Sequence, residues 1–335
     1  MENRKRYFRK RFVSLMLTVF LLIVISILKI GNFGGNFGKL FNTANLNDGH
    51  VETSNNVETN ALADLDQKLS VHFIDVGQAD SIFIKQGSHY MLIDGGNNDD
   101  GDLVVNYLKS EGVNRLEYII ATHPHEDHIG GLDDVINNFE VEKVLMPNKT
   151  TTTKTYENFL IAIKNRQDKM RKEGKDVTLK KIPKVNETYT FGNTSFTILA
   201  PNSKDYGDNY NNYSIVIKMI FGDNSFLFTG DAEITSEKEM ISARYNLKSD
   251  LLKVGHHGSH TSTSKEFLEA VSPKYAVISV EKNNKYNLPK KSVMNRLKDA
   301  GVVVYRTDEA GSIVATSDGK NITFDKSPCS YSYMK

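Results

Sequence analysis

Four side chains able to hold a metal, His123, His125, Asp127 and His128, stand in the stretch "THPHEDHIGG" (122–131) of a chain with only nine histidines. Imidazole nitrogens with a carboxylate oxygen form the donor set of zinc and similar divalent ions. His123 and His125 lie two apart directly after the apolar run Tyr118-Ile119-Ile120-Ala121. An extended backbone there turns both side chains to one side, and Pro124 stiffens that geometry. Asp127 and His128 fall in the turn that opens the next helix, and Gly130-Gly131 permits close backbone approach. A histidine pair at i and i+2 followed by an Asp-His pair is an economical way to face two adjacent metals.

A metal site needs further ligands, and two later strand ends offer them. The apolar "SFLFT" (225–229) ends in Gly230-Asp231, and "LLKVGHHGSHTS" (251–262) carries His256, His257 and His260. Either stretch alone is a common turn. Three strand ends bearing histidine and aspartate ligands point to one centre. The single cysteine, Cys329, excludes an intramolecular disulfide and a cysteine-built zinc finger.

The elements that must position these residues follow from the hydrophobic pattern. Short β-branched runs at 70–76, 81–86 and 90–94 predict consecutive strands. Helices near 102–110 and 131–139 then alternate with strands at 117–121 and 143–146, and a long basic helix spans about 155–172. A second block has strands at 187–191, 194–199, 213–221 and 225–229, then a helix (232–243), a strand (250–254), a helix (264–270), a strand (275–280), a helix (291–299) and short terminal strands. Strands in clusters with helices between them predict two packed sheets covered by helices, as one domain. At 335 residues, with 39% apolar and 25% charged content, the chain can bury such a core.

The N-terminal region reads differently. Residues 1–11 carry Arg4, Lys5, Arg6, Arg9, Lys10 and Arg11, and they precede the uncharged run "FVSLMLTVFLLIVISIL" (12–28). A run of that length can cross a bilayer, and the basic flank keeps the N-terminus cytoplasmic with the remainder outside. The expectation is a basic cytoplasmic tail (1–11), a single-pass anchor in membrane lipid (12–28) and a flexible stalk (29–68). A folded domain (69–328) and a short tail (329–335) follow. A signal-peptide h-region is the rival reading of 12–28, although no small-x-small site follows it closely.

The set Asp94-Gly95-Gly96, His123-x-His125-x-Asp127-His128, Asp231 and His256-His257 resembles the metallo-β-lactamase superfamily. "FIDVGQADSIFI" (73–84), "LLKVGHHGSHTS" and "AVISVEKNNKYNLP" (276–289) are similar to the metallo-hydrolase domain of the ComEC competence family, over about residues 70–325. The resemblance implies an α/β fold of the αββα sandwich type and two divalent metal ions, zinc or manganese. It implies His123 and His125 on one metal, Asp127 and His128 on the second, Asp231 bridging, and His257 completing the second site, with His256 the alternative ligand. Asp127 joins the catalytic group through its metal, and whichever of His256 and His257 is not a ligand, or His260, protonates the leaving group. Asp80, Asn212 and Ser214 are candidates for the substrate wall. Three departures stand out. No histidine occurs between 129 and 255, where superfamily members often supply another ligand. The family's Gly-Gln-Gly-Asp reads Gly77-Gln78-Ala79-Asp80, and its Gly-His-Pro reads Asn287-Leu288-Pro289.

Formal net charge is +1, so global electrostatics select no partner. Locally, the stretch from Lys149 to Lys184 holds eleven Lys/Arg against four Asp/Glu. Such a stripe can track a phosphate backbone or form the solvated face of a helix. The expected function is extracytoplasmic hydrolysis of phosphodiesters, DNA above all, in the setting of a competence or DNA-uptake machinery. The alternatives are hydrolysis of a small or cell-surface ester (a teichoic-acid or choline phosphodiester, or a lactone) and a non-catalytic DNA-binding accessory.

Overall fold

The computed structural model describes residues 68–175 and 178–333. The basic tail, the anchor and all but the last residue of the stalk expected from the sequence lie outside the described residues. Among those described, no helix is long and apolar enough to cross a membrane.

The described residues open with an antiparallel meander of β1 (Leu69–Phe73), β2 (Ile82–Gln86) and β3 (His89–Ile93). Strands and helices then alternate: α1 (Gly101–Ser110), β4 (Arg115–Ile120), α2 (Glu126–Ile129), α3 (Leu132–Asn138), β5 (Glu140–Leu145), α4 (Lys154–Lys172) and a two-residue β6 (Lys180–Lys181). The second half holds β7 (Thr188–Phe191), β8 (Thr194–Ala200), β9 (Val216–Phe221), β10 (Asn224–Phe228), α5 (Ile234–Ser242), β11 (Leu251–Lys253), α6 (Lys265–Val271), β12 (Tyr275–Ile278), α7 (Lys291–Asp299) and β13 (Val303–Arg306). A one-turn α8 (Thr307–Ala310) leads back to β14 (Ile313–Ser317) and β15 (Ile322–Phe324). The pattern anticipates these elements apart from α2, β6 and α8, each too short to show a period.

Two sheets result, in the orders β15-β14-β1-β2-β3-β4-β5-β6 and β13-β12-β11-β10-β9-β8-β7. Strand alternation explains why they stack. Ile82 and Ile84 of β2 pack between the sheets with Phe196, Phe226 and Phe228, while Phe83 faces the helical side with Val104, Val135 and Phe159. Period-two burial on both faces requires a cover on each. Helices α1, α3 and α4 cover the first sheet, and residues of α5, α6 and α7 (Met240, Phe267, Leu297) cover the second. The architecture is therefore a four-layer αββα sandwich, as expected.

The loops at the C-terminal ends of the parallel strands converge at one edge. Backbone bonds knit three of them: Asp80 N donates to Asp127 O, Gly95 N to His128 O and Gly130 N to Gly96 O. A Cβ on Gly130 would lie 2.2 Å from the Asn97 carbonyl carbon, and one on Gly131 would lie 2.4 Å from Gly95 O. The Gly-Gly pairs at 95–96 and 130–131 are what allow these loops to touch.

Candidate metal centre

Strand β4 ends at Ile120, and the chain reaches His125, itself extended, just before α2. His123 Nε2 and His125 Nδ1 come within 3.0 Å of each other. The one-turn α2 then carries Asp127 and His128 inward, with His128 fully buried. From the second sheet, the end of β10 delivers Asp231. The segment after β11 delivers His256 and His257, both at a left-handed φ of 52°. Non-glycine residues pay roughly 1–2 kcal/mol each for that conformation, and two in succession turn both imidazoles into the site.

Asp231 is the meeting point. Its Oδ1 lies 3.3 Å from His128 Nε2 and 3.8 Å from His257 Nε2. Its Oδ2 lies 3.9 Å from His123 Nε2 and 3.7 Å from His256 Nε2. Asp127 Oδ2 stands 3.4 Å from His257 Nε2 and 4.0 Å from His128 Nε2. Asp127, His128, Asp231 and His257 thus form a closed set, with ligand atoms all within 4.8 Å of one another.

The far nitrogens of the rings are fixed from behind. Thr122 donates its N–H and its hydroxyl to Asp94, at 2.8 and 2.7 Å, and His128 Nδ1 lies 2.7 Å from the same carboxylate. His123 Nδ1 lies 3.1 Å from Thr122 Oγ1, and His257 Nδ1 lies 2.9 Å from the Ser279 carbonyl. Such partners set the tautomer and turn the other nitrogen forward as a ligand. Three of the forward atoms, His128 Nε2, Asp231 Oδ1 and His257 Nε2, are buried and complete no hydrogen bond. Buried polar atoms without partners are costly, and a shared cation satisfies all three at once. The charges agree: the carboxylates of Asp80, Asp94, Asp127 and Asp231 outnumber the buried ammonium of Lys253 beside them. The donor set fits divalent metal.

Without metal, protons must do that balancing. Burial opposes a charge on His128, but Asp231, Asp94 and Asp127 together overrule it and lift its pKa well above the usual value. His257 is raised in the same way, against burial, by Asp231, Asp127 and Asp80. Burial and the neighbouring His128 hold His123 well below the ordinary imidazole value. Burial pushes Asp231 upward, yet His128, His257 and His256 bring it well below the usual carboxylate range.

Three residues expected on the substrate wall make contacts within the protein. Asp80 is 1% exposed and pairs at 2.8 Å with Lys253, itself fully buried on β11. Asn212 Oδ1 accepts from the N–H groups of Glu233 and Ser236 at the start of α5. Ser214 Oγ accepts from Asp231 N at 3.1 Å. None of the three lines either cavity beside the centre. His260 is exposed and lines the cavity together with Gln78, His125, Asp127, His256 and His257. That cavity measures about 520 Å³ and opens beside a larger one of about 1030 Å³. Leu288, at the position of the family's histidine, lies on the smaller cavity's wall.

Sequence reasoning missed Lys253, Thr122, Glu233 and Thr261. Lys253 carried a signal, a charge inside the apolar run "LLKV". The basic stretch also takes its place. Arg166 pairs with Glu140, Arg171 with Asp168, Lys175 with Glu173 and Lys181 with Glu187, and none of its residues lines either cavity at the centre. Tyr156 and Phe159 are core residues under α4.

Residues 74–281, which include all the converging ligands, match the metallo-β-lactamase superfamily. ComE operon protein 3 of Bacillus subtilis is 31% identical over 261 residues, covering 72% of this chain and 32% of that protein. Recombination protein 2 of Haemophilus influenzae is 32% identical over 249 residues, covering 72% and 28%, and competence protein ComA of Neisseria gonorrhoeae is 30% identical over 242 residues, covering 71% and 31%. The chain spans about a third of the length of these relatives. Among solved structures, the metallo-β-lactamase fold protein YhfI of Bacillus subtilis aligns with a TM-score of 0.45 at 12% identity, over 71% of this chain and 96% of that one. With the match running unbroken from the first sheet through every strand end that carries a ligand, the chain belongs to the metallo-β-lactamase superfamily.

Proposed function

We propose that the protein is a membrane-anchored, extracytoplasmic, metal-dependent hydrolase of phosphodiesters, with DNA its favoured substrate. The observation that carries the hydrolase is the set of unpartnered ligand atoms converging on Asp231 at the base of an open cavity. His123 and His125 would hold one ion, Asp127, His128 and His257 the other, and Asp231 both. Two divalent ions, zinc or manganese, would lower the pKa of a shared water toward ~7 and clamp the attacking and leaving oxygens of an in-line displacement. The chain's own residues do the rest. Asp94, Thr122 and the Ser279 carbonyl orient the imidazoles, and His260 stands on the cavity wall where it can give a proton to the departing oxygen.

The substrate class rests on the loop after β12. Lys282, Lys285 and Tyr286 line the larger cavity, and Tyr286 and Lys290 line the smaller one. Tyr286 is 53% exposed, with the Lys285 ammonium 5.0 Å from its ring centre. Ammonium groups beside an exposed aromatic suit a phosphate backbone and a stacked base. The names of the relatives, competence and recombination proteins, support DNA and a place beside an uptake machinery. Incubation of the full chain with single- and double-stranded DNA and Mn²⁺ or Zn²⁺ is expected to give cleavage that EDTA abolishes. Absence of cleavage of both would overturn the DNA substrate.

A second reading has its own observation. Asp75, Asp100, Glu126 and Glu281 also line the larger cavity, and carboxylates there favour a cationic group such as the choline of a surface phosphodiester. Turnover of a chromogenic choline phosphodiester without DNA cleavage would select it. A non-catalytic DNA-binding role would instead show as salt-dependent DNA binding that survives His125→Ala with Asp127→Ala, with no cleavage by the native chain.

A further inference from the structure

The sequence leaves the first metal one histidine short, and the structure offers a replacement from an unexpected place. Asp231 divides the centre: Oδ1 faces His128 and His257, whereas Oδ2 faces His123 at 3.9 Å and His256 at 3.7 Å. Both Oδ2 separations are too long for hydrogen bonds. They match two ligands sharing one ion, since donors ~2.1 Å from a tetrahedral metal stand roughly 3.4 Å apart. His256 is also held from behind like the other ligands. Its Nδ1 lies 3.1 Å from Thr261 Oγ1 and 3.4 Å from Glu233 Oε1. The Glu233 carboxylate is itself fixed by Asn209 at 2.7 Å and Asn211 at 3.2 Å. With its proton on Nδ1, His256 turns a lone pair on Nε2 toward a carboxylate oxygen. Two acceptors facing each other at 3.7 Å suit a cation between them. The left-handed backbone at both 256 and 257 explains how neighbouring residues reach opposite sides of Asp231.

We propose that His256 is the third imidazole of the first metal, taking the place of the histidine absent between 129 and 255, with Glu233 and Thr261 as its supports. This rests on the two-metal reading of the centre but not on the identity of the substrate. It also removes His256 from the candidates for protonating the leaving group, leaving His260.

The test reads metal rather than turnover. Full-length protein and its variants are titrated with Co²⁺, and bound metal is measured by mass spectrometry after gel filtration. The native chain is expected to hold two equivalents. His256→Ala should hold one, with affinity for the other reduced 100-fold or more, while His260→Ala keeps two. Because His256→Ala could disturb the loop, His256→Cys provides an independent reading: a ligand at this position gives a sulfur-to-cobalt charge-transfer absorption that appears only with the second equivalent. Two equivalents of unchanged affinity in His256→Ala, or a folded His256→Cys protein that binds two Co²⁺ without that absorption, would overturn the proposal. Failure to cleave DNA would leave these readings unaffected and count against the substrate alone.

Discussion

At the scale of single residues, Asp231 carries the most consequence, since its two oxygens face four imidazoles. Asp231→Asn removes the shared anion and is expected to abolish binding of both metals, measured by mass spectrometry after dialysis; a variant retaining both would show that the carboxylate does not bridge. The pH dependence follows from the metal-free centre. Against burial, the surrounding carboxylates raise His128 and His257, and both belong to the closed set, so protons compete with the ion held there. Affinity should accordingly rise with pH and fall steeply in mild acid, and chelator titrations at two pH values read this directly. At a fixed neutral pH, the equivalent held by the closed set of Asp127, His128, Asp231 and His257 should be the last that a chelator removes. Lys253 makes a different prediction. Lys253→Met would strand the Asp80 carboxylate in the interior and should cost about 3–5 kcal/mol in urea unfolding, whereas adding Asp80→Asn should recover most of it. A destabilisation that the second change does not reduce would mean that the pair is not what holds this region.

At the scale of elements, the centre is made by strand ends and by loops that touch. Gly131→Ala puts a methyl group 2.4 Å from Gly95 O, so the loop carrying His128 must move away from the loop carrying Asp94. Metal affinity should fall about 10-fold or more as Asp94 and His128 draw apart; unchanged affinity would show that the loops can separate without consequence. The two basic segments should also part company. Lys282→Ala with Lys285→Ala removes charges beside the centre, and should lower the salt dependence of DNA binding by roughly one unit of slope for each phosphate no longer neutralised. Neutralising Lys169, Arg171 and Lys172 at the end of α4 should leave that slope unchanged. Filter-binding measurements across a salt series compare the two, and the reverse pattern would restore the helix as the DNA-tracking surface.

At the scale of the whole molecule, the prediction is topological. Six basic residues before an uncharged seventeen-residue run are expected to keep the N-terminus inside and the folded domain outside. A C-terminal tag should be removed by protease added to intact cells, and a tag protected until lysis would reverse the orientation. The sequence by itself determined the αββα class, because buried strands and amphipathic helices write their periods into the chain. It also determined the chemistry of the centre, because His123-x-His125-x-Asp127-His128 is local and its donor types admit few other uses. Tertiary structure alone decided what depends on residues far apart in the chain. Asp80, Asn212 and Ser214 meet Lys253, the start of α5 and the Asp231 amide only through packing. Several charges of the basic stretch pair with carboxylates, and none of its residues lines either cavity. His256 and His257 cannot be told apart as neighbours in a sequence. A left-handed backbone and the two oxygens of one distant aspartate separate them, and no periodicity encodes either.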